Sequence, residues 1–265
     1  MNPIKSIPKI IHYVWMGGAE KSELAVRCIN SWKKYMPDYE IIEWNESNFD
    51  INSISYTKDA YHQKKWAFVS DAVRTYALKE FGGVYFDTDV ELFSAPGNIF
   101  AESEVVLGFE NKFLLSTGAM ATVAHHSIFE QLWNKYETAR FINPNNESTI
   151  NTKLTFIVVD YLNRKRLVNG NHLIRKVKIL SDEFFSNRGE MPIFAAHYFN
   201  GSWKTKTQLT LFQYFVFAFK FRILGLISHF MGNKRYIEIN DELWRVALRK
   251  TQLNIRKGRK IYKVL

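Results

Sequence analysis

Lys65-Trp66-Ala67-Phe68-Val69-Ser70-Asp71-Ala72-Val73-Arg74, running on to Phe81-Gly82-Gly83-Val84-Tyr85-Phe86-Asp87-Thr88-Asp89, is the stretch around which this 265-residue chain is organised. Val69, Ala72, Val73, Tyr76 and Ala77 recur at helical spacing and predict a helix with one face in the core. Asp71 and Arg74, three residues apart, fall on roughly the opposite side, where they can act together on something outside the core. Gly82-Gly83 closes the helix and returns the chain to extended backbone, because glycine takes positive φ without steric cost. Val84-Tyr85-Phe86 then reads as a short buried strand with Asp87 and Asp89 at its C-terminal end. In an open α/β sheet, ligands bind at that end of the strands.

Alternate strand residues point the same way, so Asp87 and Asp89 could share one hard divalent cation such as Mn²⁺ or Mg²⁺. An Asp-Thr-Asp tripeptide also occurs in ordinary solvated turns; the order of the surrounding residues is what distinguishes this one. Ser-Asp-x-x-Arg followed by Gly-Gly-x-Tyr-x-Asp-x-Asp resembles the nucleotide-sugar site of glycosyltransferase family 32. That family includes bacterial capsule and surface-polysaccharide enzymes, and is distantly similar to the glucosylating domains of large clostridial toxins. The resemblance covers most of residues 7–203 and fades beyond them. It implies a GT-A fold, α/β and Rossmann-like with a mostly parallel central sheet, spanning residues 1–205. A helical, basic appendage is expected over 206–265.

Composition sets the outer bounds. A hydrophobic content of 46%, with 15% aromatic, excludes a disordered chain. The single cysteine, Cys28, rules out an internal disulfide framework and fits a reducing compartment. The first nine residues hold no apolar run of signal-peptide length, so secretion by that route is not expected. Charge is segregated: 14 Lys and Arg face 3 Asp and Glu in residues 204–265, while the rest of the chain is nearly balanced. Such asymmetry predicts contact with a polyanionic surface.

Ahead of the opening stretch, Ile10 to Trp15 reads as the first central strand, with Gly17-Gly18 as the turn beyond it. Glu20 to Tyr35 reads as an amphipathic helix carrying Leu24, Cys28, Ile29 and Trp32 on one stripe, so Cys28 is a buried small hydrophobe and not a nucleophile. Tyr39 to Trp44 is a second strand, followed by a polar loop at 45–50. The resulting β-α-β-α-β alternation predicts the parallel sheet. His12 is expected to be a satisfied interior histidine. Strands are further expected at Val90–Phe93, Val105–Glu110 and Ser116–Ala121, the last small enough for a sugar to approach its backbone. Ser127 to Arg140 is a helix with Phe129, Leu132, Trp133 and Tyr136 inward. His125-His126 invites a metal reading, but adjacent side chains at a helix start do not converge. Residues 141–160 depart from the family pattern.

Ala195 to Trp203 resembles the family's closing His-x-x-x-Gly-Ser-Trp segment. A cation held by two carboxylates and a diphosphate has room for one more protein ligand, which His197 could supply, with Asn200 as the rival. The resemblance implies the remaining roles. Asp87, Asp89 and His197 hold Mn²⁺ (or Mg²⁺), Asp71 meets donor-sugar hydroxyls, and Arg74 lies near sugar and phosphate. Trp15 stacks on the base of the nucleotide-sugar donor, and Ser202 and Trp203 close over its diphosphate. The implied activity is retaining transfer of a hexose, UDP-linked by expectation, to a lipid-linked saccharide or growing surface glycan.

In the tail, Thr207 to Phe219 is an uncharged, apolar run of 13 residues, short of the roughly 20 that span a bilayer. Lys206, Gln213 and Lys220 mark a narrow polar stripe, so an interfacial helix is the expectation. Arg245, Arg249, Lys250, Arg256, Lys257, Arg259 and Lys260 add a polybasic patch, each worth ~1 kcal/mol near an anionic surface. Peripheral attachment to the cytoplasmic face of the plasma membrane follows. Nucleic acid is disfavoured, because the aromatics are not interleaved with the basic residues. A toxin-like protein glycosyltransferase and a non-enzymatic membrane-associated binding protein are the alternatives.

Overall fold

The computed structural model describes residues 5–111, 113–144, 148–184 and 194–198. Asn200, Gly201, Ser202, Trp203 and the whole basic tail lie outside them, so the domain boundary at 205/206 and the interfacial helix do too. Among the described residues, no helix is long and apolar enough to cross a membrane.

A seven-stranded sheet forms the centre, in the order β2 (Glu40–Trp44), β1 (Ile10–Val14), β3 (Gly83–Phe86), β6 (Leu115–Thr122), β5 (Val105–Phe109), β8 (Val177–Leu180), β7 (His172–Ile174). β1 pairs in parallel with β2 and β3, and β5 with β8, while β6 and β7 run against their neighbours. Five of the seven strands therefore point the same way, as the mostly parallel reading expects. A separate two-stranded sheet joins β4 (Val90–Leu92) to β9 (Ala195–His197) in antiparallel register, with Val90 opposite His197.

Strand alternation sorts the interior into two cores. Tyr85, Leu107 and Met120 face one side with α3 (Trp66–Phe81), α4 (Ser127–Glu137) and α5 (Ile150–Tyr161). Val84, Phe86, Ala119 and Ala121 face the other, with α1 (Glu23–Tyr35) and the β4–β9 pair. On that second face Cys28, Ile29 and Trp32 are buried along α1, as their spacing predicts, and burial pushes the Cys28 thiol up to about 12. Ser22 caps α1, its Oγ accepting from the Ala25 N–H at 3.2 Å.

The structure revises three local expectations. A helix, α2 (Ser55–His62), precedes α3, so two helices rather than one separate β2 from β3. It buries Tyr56, Thr57 and Ala60, too few aliphatic side chains to leave a strong hydrophobic period. Arg74 does not face away from the core: it is buried with 6% exposure, its guanidinium donating to the Thr117 carbonyl of β6. Asp87 and Asp89 do not share a side by strand alternation either, because β3 ends at Phe86 and the two carboxylates sit in a turn. The Val90 N–H closes that turn on the Asp87 carbonyl at 2.9 Å.

Candidate active site

The site grows from the end of α3 through β3. Gly82 caps α3 with φ +64°, its N–H donating to the Leu78 carbonyl at 3.0 Å, and Gly83 follows at φ +91°. Any Cβ at Gly82 would fall 2.5 Å from the Ala124 backbone nitrogen, so the tight passage from helix to strand requires glycine. The short β3 then aims Tyr85 toward the α3 side, and Asp87 follows in the turn, held by Tyr85 and by Arg74 of α3.

Arg74 is the fixed positive charge there. Its Nη1 lies 3.0 Å from Asp87 Oδ1 and donates to the Thr117 carbonyl on β6 at 3.0 Å. Its Nη2 lies 3.3 Å from Asp71 Oδ1 and donates to Ser70 Oγ at 3.2 Å. The guanidinium also sits 4.7 Å above the Tyr85 ring, and the Tyr85 hydroxyl donates to Asp87 Oδ1 at 2.9 Å. Burial alone would lower the Arg74 pKa, but Asp87, Tyr85 and Asp71 outweigh it and hold the group firmly charged. Burial drives the Tyr85 phenol well above its ordinary range, so Tyr85 stays a hydrogen-bond donor.

On the other side of the acidic turn stands His197. Its Nε2 lies 3.2 Å from Asp89 Oδ1 and 4.0 Å from Asp87 Oδ2. Asp87, Asp89 and His197 each offer one ligand atom, and all three atoms lie within 4.8 Å of one another. Burial pulls the His197 imidazolium down, but the hydrogen bond and charges of Asp89 and Asp87 prevail and raise its pKa. Two hard oxygens and one imidazole are a donor set suited to Mn²⁺, and their clustering fits a shared ion. Gly118 on β6 makes the room: a Cβ there would meet His197 Cε1 at 2.8 Å and Asp87 Oδ2 at 3.1 Å.

Trp15 leaves the same end of the sheet. His12 on β1 lies opposite Tyr85 on β3, so Trp15 and Asp87 both follow the C-terminal ends of adjacent parallel strands. The Trp15 indole is half-buried, donates to the Ala19 carbonyl at 2.7 Å and has the Lys21 ammonium 5.8 Å from its ring. His12 is interior and satisfied, as expected. Trp44 Nε1 donates to its Nδ1 at 3.1 Å, leaving its Nε2 to donate to the Gly82 carbonyl at 2.8 Å. His125 and His126 do not converge: His126 caps α4, its Nδ1 accepting from the Ile128 N–H, while exposed His125 lies beside Glu130.

The structure thus brings together Asp71, Arg74, Asp87, Asp89 and His197. Sequence reasoning missed Tyr85 and Ser70 as polar members. Tyr85 had a signal, since a tyrosine on a short strand two residues before a carboxylate can reach it with its hydroxyl, as Tyr85 reaches Asp87.

Residues 22–106 match the family model described as glycosyltransferase sugar-binding region containing DXD motif. No curated protein sequence matches the chain. Among solved structures, the PaToxG glycosyltransferase superposes with a TM-score of 0.50 at 16% identity, over 60% of this chain and 70% of its own. A glycosyltransferase involved in glycosylation of the major capsid of PBCV-1 gives 0.44 at 13%, over 73% and 94%. The galactosyltransferase LgtC, in complex with donor and acceptor sugar analogs, gives 0.37 at 12%, over 72% and 87%. The matched region contains Asp71, Arg74 and the Asp87-Thr88-Asp89 turn, and the PaToxG superposition carries the fold. Residues 22–106 therefore carry a DXD-type glycosyltransferase sugar-binding region, and the chain around them has a GT-A fold.

Proposed function

We propose that the chain is a metal-dependent, retaining hexosyltransferase that uses a nucleotide-sugar donor, UDP-linked by preference, and a lipid-linked or growing surface glycan as acceptor. The observation that supports this most is the meeting of Asp87, Asp89 and His197 beside the buried charge of Arg74. Those three side chains would hold the cation, which when bound supplies counter-charge to the diphosphate leaving group. Arg74 adds a second, permanent positive charge close to where negative charge builds as the anomeric bond breaks. Asp71 accepts hydrogen bonds from donor-sugar hydroxyls, and Trp15 offers its ring to the base. Ser202 and Trp203, beyond the described residues, would close over the diphosphate, with Asn200 able to add an oxygen ligand.

In the transfer, the acceptor oxygen bonds to the anomeric carbon on the face from which the diphosphate oxygen leaves. The acceptor proton passes to that departing oxygen, so configuration is retained without a covalent enzyme intermediate. The excess of basic over acidic residues in 204–265 favours peripheral attachment to an anionic membrane, where a lipid-linked acceptor resides.

Thermal-shift titration of the full chain with UDP- and GDP-hexoses, with and without Mn²⁺, tests the donor. A shift with one sugar nucleotide that needs Mn²⁺ is expected. Asp89→Ala should retain the fold, lose the Mn²⁺-dependent shift and lose transfer by a factor of about 10³ or more. Unimpaired transfer in that variant would remove the metal assignment, and formation of a sugar nucleotide from UTP and hexose 1-phosphate, with release of pyrophosphate, would replace glycosyl transfer with nucleotidyl transfer.

A further inference from the structure

His197 arrives on β9, a three-residue strand that belongs to the small sheet and not to the central one. Something must hold so short a strand against the acidic turn, and α1 supplies it through β4. The Trp32 indole N–H donates to the Val90 carbonyl at 2.8 Å, and Ser31 Oγ accepts from the Leu92 N–H at 2.9 Å. Both bonds are buried, and they fix β4 to α1.

The other side of β4 carries Glu91, and here the attachment reaches the residue that follows β9. The Tyr198 hydroxyl donates to Glu91 Oε2 at 2.6 Å, and Arg27 Nε on α1 lies 3.1 Å from the same oxygen. The Arg27 guanidinium also covers the Tyr198 ring at 5.2 Å. Tyr198 is the residue after His197, and its backbone N–H donates to the Asp89 carbonyl at 3.0 Å. One oxygen of Glu91 thus gathers a helix and the residue next to the imidazole, and that residue is hydrogen-bonded to the Asp-X-Asp turn.

We propose that Arg27, Glu91 and Tyr198 form a latch that sets the register and distance of His197 against Asp87 and Asp89. They are positioning residues, acting through His197 and touching no reactant. The inference rests on the reading of Asp87, Asp89 and His197 as a cation site. It gives Arg27 a role that its exposure on α1 would hide, since an isolated surface ion pair contributes little to stability. A pair that orients a ligand has a different signature, because supporting contacts of this kind typically change metal affinity 10- to 100-fold.

The test uses the full chain with Glu91→Gln, Tyr198→Phe and Arg27→Met, the last a surface change that keeps an aliphatic side chain over the Tyr198 ring. Amide hydrogen exchange at Tyr198 is measured on metal-free protein, Mn²⁺ affinity by calorimetry, and Tm alongside. Expected are faster exchange at Tyr198, Mn²⁺ binding weaker by about tenfold or more, and sugar transfer restored at high Mn²⁺. Tm should move little for Arg27→Met. Unchanged exchange, or Mn²⁺ affinity equal to that of the parent in all three variants, overturns the latch. Loss of activity that tracks Tm and that Mn²⁺ does not rescue also overturns it, by reducing the contact to ordinary stability. A parent protein that binds no Mn²⁺ overturns the cation site instead, and the exchange rates in the metal-free variants then decide the latch by themselves.

Discussion

At position 118 a single methyl group would fall 2.8 Å from His197 Cε1 and 3.1 Å from Asp87 Oδ2, so the absence of a side chain there is a requirement of the site. Gly118→Ala should push the imidazole away from the acidic turn, lowering Mn²⁺ affinity and transfer by about tenfold or more. Circular dichroism and Tm should change little, because Gly118 is not at positive φ. The sequence singled out the small-residue strand 116–121 but not which of its residues meets the imidazole, since that depends on a contact between β6 and β9 across 79 positions of chain. Asp71, Arg74, Asp87, Asp89 and His197 were legible as a set because their spacing carries the family resemblance. The depth of Arg74 was not. Helical spacing gives an angle around an axis, and a long side chain flanked by Ser70 and Tyr85 can turn inward to reach carboxylates that the pattern places outside.

Between residue and molecule, the α3–β3 connection is the element whose geometry decides most. Gly82→Ala forces an L-residue into φ +64° and sets a Cβ 2.5 Å from the Ala124 backbone. A loss of about 2 kcal/mol in unfolding free energy is expected, measured by urea denaturation. The whole acidic turn should shift with it, so activity falls further than stability alone explains. α1, α3, α4 and the central strands β1, β2, β3, β5 and β6 were readable, each from a strong period or a bounded apolar run. α2 was not, because Tyr56, Thr57 and Ala60 bury it without an aliphatic stripe. The pair β7 and β8 at the sheet edge also escaped reading: each is three or four residues long, and β7 has no fully buried position.

For the molecule as a whole, two consequences concern charge. His12 is buried and neutral, its pKa lowered to about 4 by burial, against an unfolded value near 6.5. Between those values the unfolded chain binds more protons, so stability is full above about pH 6.5 and declines as pH falls toward 4, by about 3 kcal/mol. His126, lowered for the same reason, acts in the same direction, whereas raised His197 acts in the opposite one. Urea unfolding from pH 7.5 to 4.5 should show the decline, and His12→Gln should flatten it. The second consequence is the segregation of basic residues into 204–265. Flotation with vesicles rich in phosphatidylserine should carry the chain upward at low salt and release it near 1 M NaCl, where screening shortens to about 3 Å. No flotation at any salt would count against the membrane-bound acceptor.

β4 and β9 are neighbours in space, yet more than a hundred residues of chain separate them, and the intervening stretch includes β5 to β8. During synthesis the acidic turn therefore leaves the ribosome long before its imidazole partner has been translated. A growing polypeptide halted anywhere before position 197 carries the carboxylates without their third companion. On the proposed reading of these three side chains as a cation site, that site is completed late, once β9 has been made and has paired with β4.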